Sequence, residues 1–323
     1  MAAGGHSGTN EAKQPVRAAM VARAVAAPLV IGLDVGGTKI LSGLVDRDGN
    51  VVAQREIHSP GESQADVLAA LDAAVAELLD DRVVAIGYGI PANLERGTGR
   101  ILHATNLPLE SVDLVSRSNE RYGLPVGVEN DANVAALAEW KRGAGRGSTN
   151  LVMLTLGTGV GGGIVLDGRL FRGWAELGHI VVQEGGPPCA CGGRGHLEAL
   201  ASGHAGDRAA RDLFGPDADA HMLIDKAKAG DAGARDALAR IGESLGAAIG
   251  SLVNIFDPDL TVIGGGFGAA AGELVLGPAR EAARRESMPP ADETLQVVPA
   301  ELGAEAGLVG AALVGFEALV EAR

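Results

Sequence analysis

Two segments of the chain repeat one pattern of apolar runs and glycine turns. Residues 29–57 contain an apolar run, a glycine turn, a second run, a hairpin signal at Asp48-Gly49 and a third run. Residues 150–173 repeat that order, with the hairpin signal at Asp167-Gly168. Each segment predicts three antiparallel strands, and the recurrence indicates an internal duplication.

Further elements come after each triplet of strands. Apolar residues recur at helical spacing in residues 66–79, and residues 82–90 form the kind of continuous apolar run typical of a buried strand. The predicted fold class is α/β, with two domains of related βββαβα plan facing each other across a cleft. The later predicted elements are a helix near 231–254, a strand at 260–265, a helix near 273–286, a strand near 294–299 and a closing helix near 304–320.

The domain boundaries follow from this order. A chain of 323 residues, 46% of them hydrophobic, is long enough for two cores. We expect a disordered extension at 1–27, an N-terminal domain at 28–133 and a C-terminal domain at 134–303. The second domain carries an inserted stretch at 171–203, and a closing helix at 304–323 packs back on the first domain.

Composition narrows the partners and the compartment. The 41 acidic and 27 basic residues give a net charge of -14, which disfavours binding to nucleic acid or to an anionic membrane. We expect no uninterrupted apolar stretch of the roughly 18 residues that a membrane span needs. Cys189 and Cys191 lie too close for an unstrained disulfide, so the thiols are free or bound to metal, as suits a reducing cytoplasm.

Three glycine turns are candidate phosphate sites. A glycine turn can aim successive backbone N–H groups at a phosphate, although the first two are also compatible with ordinary hairpins; the third follows a buried strand, where α/β folds often place nucleotides. A triphosphate on an acidic protein needs Mg²⁺, and the carboxylate of Asp34 is the candidate ligand; the alternative is that it caps its own turn. The candidate residues are Asp34, Gly36, Gly37, Thr38 and Lys39 in the first turn, Gly157, Thr158 and Gly159 in the second, and Gly265 and Gly266 in the third.

Two polar constellations carry further chemistry. Asn130 and Asp131 precede an alanine-rich helical pattern, where either residue could serve as an N-cap. Two thiolates and two imidazoles lie close in sequence, and such a set forms the closed tetrahedral shell of structural zinc. The alternative is a pair of ordinary loop thiols with solvated histidines. The four residues are His179, Cys189, Cys191 and His196.

The motifs together resemble one family. "LDVGGTK", "ENDAN", "LGTGVGGG", "ELGHI" and "CACGGRGHLE" succeed one another over residues 29 to about 320, in the order found in the ROK family of bacterial sugar kinases and repressors, within the actin-like ATPase superfamily. "EWKRGAGRG" and "GAEAGLVGAA" are most similar to the ATP-dependent glucokinase branch. The family's zinc motif ends in cysteine where this chain has His196.

The resemblance implies roles for individual residues. It implies that Mg-ATP binds between the two lobes and that Asp131 is the general base for a sugar hydroxyl. It further implies that zinc holds one nitrogen of His179, orients Glu176 and leaves the other nitrogen for the sugar. Asn106 could instead be a turn residue, and Glu198 a helix-start carboxylate. The implied sugar ligands are Asn106, Asn130, Asp131, Glu176, His179 and Glu198.

The expected activity is phosphorylation of glucose by ATP. Other hexoses and N-acetylhexosamines are alternative substrates, and polyphosphate is an alternative donor. A sugar-responsive repressor is a further alternative, although no helix-turn-helix pattern precedes residue 29; an actin- or chaperone-like ATPase without a sugar is another. The resemblance also implies a homodimer or homotetramer. Finally, Trp140 and Trp174 are predicted to be core anchors.

Overall fold

The computed structural model describes residues 27–104 and 106–322. All but the last residue of the predicted N-terminal extension, 1–27, lies outside these ranges. The N-terminal half comprises β1 (Leu29–Val35), β2 (Lys39–Val45), β3 (Val51–His58), α1 (Gln64–Leu78), β4 (Val83–Ile90), β5 (Ala92–Leu94), β6 (Ile101–Ala104), β7 (Glu110–Val112), α2 (Leu114–Tyr122), β8 (Val126–Asn130) and α3 (Asp131–Arg142).

The C-terminal half has the same plan with more helices. It comprises β9 (Leu151–Leu156), β10 (Val160–Leu166), β11 (Arg169–Leu170), a 3-10 turn (Leu177–His179), α4 (Leu197–Ala201), α5 (Gly203–Phe214), α6 (Ala220–Lys228), α7 (Ala232–Phe256), β12 (Leu260–Gly264), α8 (Gly266–Ala271), α9 (Glu273–Glu286), α10 (Ala291–Thr294), β13 (Val297–Pro299), a second 3-10 turn (Gly303–Glu305) and α11 (Ala306–Glu321).

Two five-stranded sheets have the same strand order. The N-terminal sheet is ordered β3-β2-β1-β4-β8 and the C-terminal sheet β11-β10-β9-β12-β13. In each sheet the first three strands in chain order are antiparallel, and the next two join in parallel. This shared topology confirms the predicted duplication. The short sheet β5-β6-β7 is an addition to the N-terminal half that the sequence did not predict.

Helices α3 and α11 pack against each other between the sheets. Helix α11 contacts β1, β4 and β8, and α3 contacts β10. The close approach depends on glycine, because a Cβ at Gly87 would overlap the carbonyl group of Ala311 and a Cβ at Gly163 would overlap the Ala136 side chain. The division of the chain at residue 133 stays a prediction, since α3 lies against both halves.

Helix α11 is the most apolar long helix among the described residues that could be mistaken for a membrane span. Residues Gly303–Glu321 have a mean hydropathy of 1.5 and are long and apolar enough for a membrane span by composition alone. Glu305 and Glu317 interrupt this segment, so it is not the uninterrupted apolar stretch whose absence we expect from the sequence. The helix is apolar because it packs between the sheets, where Leu308 and Ala312 are fully buried.

Candidate active site

The first glycine turn joins β1 to β2. The backbone N–H of Gly36 donates to the carbonyl of Lys39 at 2.8 Å, which closes the turn and leaves Gly37 and Thr38 exposed. Asp34 lies near the end of β1, with its carboxyl group against Gly307 of α11. The ammonium group of Lys39 pairs with Glu56 of β3 at 2.7 Å, so its role towards phosphate stays a prediction.

Electrostatics connect Asp34 with Asp131. Burial raises the pKa of Asp34 from 3.8 to about 6, the negative charge of Asp131 contributes to this rise, and Lys39 opposes it. A carboxylate whose charge raises the pKa of another in this way lies close to it in space. The end of β1 and the start of α3 therefore bring two acidic groups together, and a divalent cation is the natural partner for such a pair.

The second and third glycine turns lie side by side at the ends of β9 and β12. The start of α5 holds the second turn, since Gly203 donates to Gly157 at 2.8 Å and His204 donates to Thr158 at 3.2 Å. In the third turn Gly265 has a φ of 84°. A side chain there would overlap the backbone of Leu156, just before the second turn, so this close approach requires glycine.

A cavity of about 490 Å³ opens beside these two turns. Its lining includes Gly157, Gly266 and Phe267, together with His204 and His221. The volume lies within the range of small-molecule sites. The local sequence does not identify these two histidines as cavity residues. They line the same cavity because α5 and α6 pack beside it.

Asn130 is the N-cap of α3. Its side-chain oxygen accepts the N–H groups of Ala132 at 2.9 Å and Asn133 at 3.2 Å. Of the two residues that could serve as the N-cap, Asn130 does so, and Asp131 is the first residue of the helix. Burial raises the pKa of Asp131, although the Ala132 N–H opposes this by donating to its carboxylate. A carboxylate with a raised pKa is a better proton acceptor.

Glu176 lies near three other predicted sugar ligands. Partial burial raises the pKa of Glu176; His179 lowers it, while the charges of Asp131 and Glu198 raise it. Each of these three groups therefore lies within electrostatic reach of Glu176. Asn106 lies against the first turn, because a Cβ at Gly37 would sit 3.1 Å from its carbonyl oxygen.

Glu198 connects the second turn with the cysteine cluster. One carboxylate oxygen accepts the N–H of Val160 at 3.1 Å, and the carboxylate lies against Gly159. The other oxygen is 3.6 Å from Sγ of Cys189. Glu198 is also in the first turn of α4, which begins after His196, so its position is compatible with both interpretations of its role.

The four predicted zinc ligands form one cluster, with ligand atoms all within 4.8 Å of one another. Sγ of Cys189 is 3.7 Å from Nδ1 of His179, and Sγ of Cys191 is 3.1 Å from Nδ1 of His196. With Zn–S near 2.3 Å and Zn–N near 2.0 Å, roughly these separations are expected around one tetrahedral ion. The donor set fits zinc, and Nε2 of His179 remains available for another partner.

The two tryptophans differ in how far they are buried. Trp140 is buried and donates to the carbonyl of Ser148 at 2.9 Å, which confirms it as a core anchor. Trp174 is 54% exposed, so the same prediction for it is wrong. It lies in the loop before Glu176, outside the core, with its indole Nε1 3.4 Å from the carbonyl oxygen of Leu94 in β5.

The duplicated sheets, with a glycine turn after the first strand of each, define an actin-like ATPase fold. The ROK family model matches residues 30–317. The chain belongs to the ROK family.

Similar proteins include named sugar kinases. The chain is 38% identical to a glucokinase from Thermotoga maritima over 304 residues, which cover 88% of this chain and 96% of the relative. A crystal structure of a ROK family glucokinase from Streptomyces griseus in complex with glucose and AMPPNP matches with a TM-score of 0.79 and 36% identity, covering 90% of this chain and 99% of that one. A ROK hexokinase from Thermus thermophilus matches with a TM-score of 0.78 and 38% identity, covering 91% and 99%.

Proposed function

We propose that this protein is a glucokinase, which transfers the γ-phosphoryl group of ATP to the 6-hydroxyl of glucose and releases glucose 6-phosphate and ADP. The observation that carries the proposal is Asp131, a carboxylate with a raised pKa that lies within electrostatic reach of Asp34 and of the sugar-ligand candidate Glu176. The glucokinase names of similar proteins support glucose over other hexoses.

The glycine turns would hold the nucleotide. Backbone N–H groups of the first and second turns face the phosphates from the two halves, and the adenosine occupies the cavity lined by His204 and His221. Mg²⁺, held by Asp34, neutralises phosphate charge when bound. The remaining stabilisation comes from the turns themselves, since phosphoryl transfer depends mainly on positioning and on charge.

Asp131 would accept the proton of the sugar hydroxyl. As that proton leaves, the hydroxyl oxygen forms a bond to the γ-phosphorus, and the bond from this phosphorus to the bridging oxygen breaks. ADP leaves with the electron pair. The side-chain oxygen of Asn130 caps α3 and its Nδ2 lies 3.4 Å from the carbonyl oxygen of Ala92, so the second N–H of that amide would serve the sugar.

The remaining sugar hydroxyls would be held by Asn106, Glu176, His179 and Glu198. The cluster of Cys189, Cys191, His196 and Nδ1 of His179 would hold zinc, which supplies a fixed structural anchor when bound. Nε2 of His179 and the carboxylate of Glu176 then face the sugar from one rigid segment. The family resemblance further suggests a homodimer or homotetramer.

Coupled ADP release over a panel of hexoses and N-acetylhexosamines tests the proposal. Glucose is expected to give the highest kcat/KM, and polyphosphate in place of ATP tests the donor. Asp131→Asn tests the base, with Asp113→Asn as control because Asp113 is the exposed N-cap of α2. No turnover with any sugar would exclude a kinase, whereas full activity of Asp131→Asn would exclude only the assigned base.

A further inference from the structure

A buried carboxylate precedes the proposed base by two residues. Glu129 is at the end of β8 and only 6% exposed, and nothing in the proposed phosphoryl transfer uses it. Burying a carboxylate is costly unless its oxygens are well paired. Its partners therefore indicate what the burial accomplishes.

One oxygen of Glu129 holds the first turn of α3. Oε1 accepts the backbone N–H of Asn130 at 2.9 Å and the side-chain Nδ2 of Asn133 at 3.0 Å. Asn130 in turn accepts the N–H groups of Ala132 and Asn133. The N-cap and the third residue of the helix are thus tied together on both sides of Asp131.

Glu129 also contacts the loop that leads to Glu176. Oε2 of Glu129 is 3.5 Å from a guanidinium nitrogen of Arg172, which also pairs with Glu317 of α11. Nδ2 of Asn133 lies 3.4 Å from the carbonyl of Gly173. Two adjacent residues of the loop before Glu176 are therefore fastened to the first turn of α3.

We propose that Glu129 is a positioning residue for Asp131. By tying the start of α3 to the loop at Arg172 and Gly173, it sets the distance between Asp131 and Glu176, and hence the alignment of the base with the sugar hydroxyl that Glu176 helps to hold. Small displacements of a reacting group can cost about a hundredfold in rate. The inference rests on the proposed function, because it assigns the positioned group as the base.

Helix α3 supplies a matched control at its other end. Glu139 is fully buried and accepts the backbone N–H groups of Ala144, Glu301 and Leu302. It fixes the end of the helix remote from Asp131. Glu139→Gln and Glu129→Gln therefore remove comparable buried charges from the same helix region, but only the second removes the charge that pairs the start of α3 with Arg172.

A double-mutant cycle tests the inference with steady-state glucose phosphorylation. Glu129→Gln is expected to lower kcat by about 10- to 100-fold while KM for ATP changes by less than about twofold. In an Asp131→Asn background the same substitution is expected to lower the residual kcat by less than about twofold, since groups that act as a unit are not additive. Glu139→Gln is expected to give equal ratios in both backgrounds.

An equal loss of kcat from Glu129→Gln in both backgrounds, or no loss in either, would overturn the inference. Arg172→Met provides a second variant should Glu129→Gln fail to fold, because the Arg172 side chain is half exposed. It is expected to lower kcat by roughly 5- to 10-fold only where Asp131 is intact; equal losses would again overturn the inference. These outcomes can be distinguished from a failure of the proposed function, because in that case the unsubstituted protein would phosphorylate no hexose.

Discussion

The two glycine turns at corresponding places in the sheets differ in charge. Asp34 stands two residues before Gly36 in the first turn, and Thr155 stands two residues before Gly157 in the second. The carboxylate nearest the second turn is Glu198, which comes from α4. The duplication thus supplied two related backbone cradles, while the acidic chemistry differs between the halves.

The halves differ again in the connection that leaves the third strand. Residues 59–63 join β3 to α1, whereas residues 171–196 join β11 to α4. This longer connection carries Glu176 and all four candidate zinc ligands. Under the proposed function, the glycine turns of the duplicated sheets would serve phosphate, and the unduplicated segment would add Glu176 and His179 to the sugar contacts of Asn130 and Asp131.

Asp131 lies where the halves meet, so its replacement has the largest expected effect. Asp131→Asn is expected to lower kcat by about 10²- to 10⁴-fold, the usual contribution of a general base, with KM for ATP nearly unchanged. Initial rates at saturating ATP and varied glucose measure the effect on kcat, and the converse titration of ATP measures its KM. A similar loss in Asp113→Asn would instead indicate a general effect on folding.

The cysteine cluster tests the role of the unduplicated segment. His196→Ala is expected to lose zinc and to lower kcat/KM for glucose by about 10- to 100-fold, because ligand orientation depends on the intact shell. Metal analysis should give about one zinc per unsubstituted chain. His196→Cys should retain zinc, and the exposed His103 serves as control in His103→Ala. Equal zinc content in His196→Ala would contradict the assigned ligand set.

The charge of the first turn has a cost in stability that the second turn lacks. The folded-state pKa of Asp34, about 6, exceeds its ordinary value of 3.8. Folding therefore favours the protonated form, and stability from this group is lost as pH rises between these values. At about 1.4 kcal/mol per pKa unit, Asp34→Asn should stabilise the nucleotide-free protein by up to roughly 3 kcal/mol at pH 7.5.

Urea unfolding at pH 7.5 and at pH 4.5 measures this effect. The gain from Asp34→Asn should shrink at the lower pH, where the native carboxyl is already mostly protonated. Asp48→Asn, in the exposed hairpin turn between β2 and β3, is expected to change stability by less than about 0.5 kcal/mol. A destabilised Asp34→Asn at pH 7.5 would contradict the account of the first turn.

The smallest expected effect is a displacement of the pH profile. Asp131 must be ionised to accept a proton, and burial raises its pKa above the ordinary 3.8. Activity should therefore fall with decreasing pH before an ordinary aspartate would be protonated. The profile of kcat/KM for glucose measures the acid limb. An acid limb centred at or below 3.8 would contradict the raised pKa of the base.

Local pattern was sufficient for much of the fold. The strand triplets, the glycine turns and the long helices α7 and α9 follow from apolar periodicity and from turn residues. The short strands β5, β6 and β7 were not predicted, because segments of three or four residues carry too little periodicity. Trp174 was assigned wrongly for a related reason, since an aromatic residue outside a periodic segment gives no information on its burial.

The sequence predicts only those residues of the candidate site that belong to a recognisable motif. The zinc ligands and Asp131 belong to recognisable patterns of residue types and spacing. His204 and His221 enter the cavity beside the second turn through the packing of α5 and α6. The proposed positioning role of Glu129 rests on its contacts with Arg172 and Asn133. Such residues depend on tertiary contacts that no local pattern records.

The central claim is that the glycine turns bind the nucleotide while the zinc-held segment helps to bind the sugar. Separate titrations of glucose and of AMPPNP into zinc-loaded and zinc-depleted protein test it most directly. The account predicts that zinc depletion weakens glucose binding by at least about tenfold, while AMPPNP affinity in the presence of Mg²⁺ changes by less than about twofold. Isothermal titration calorimetry measures both affinities on the same samples. Equal loss of both affinities, or unchanged glucose binding without zinc, would contradict the assignment of phosphate to the glycine turns and of the Glu176 and His179 sugar contacts to the zinc-held segment.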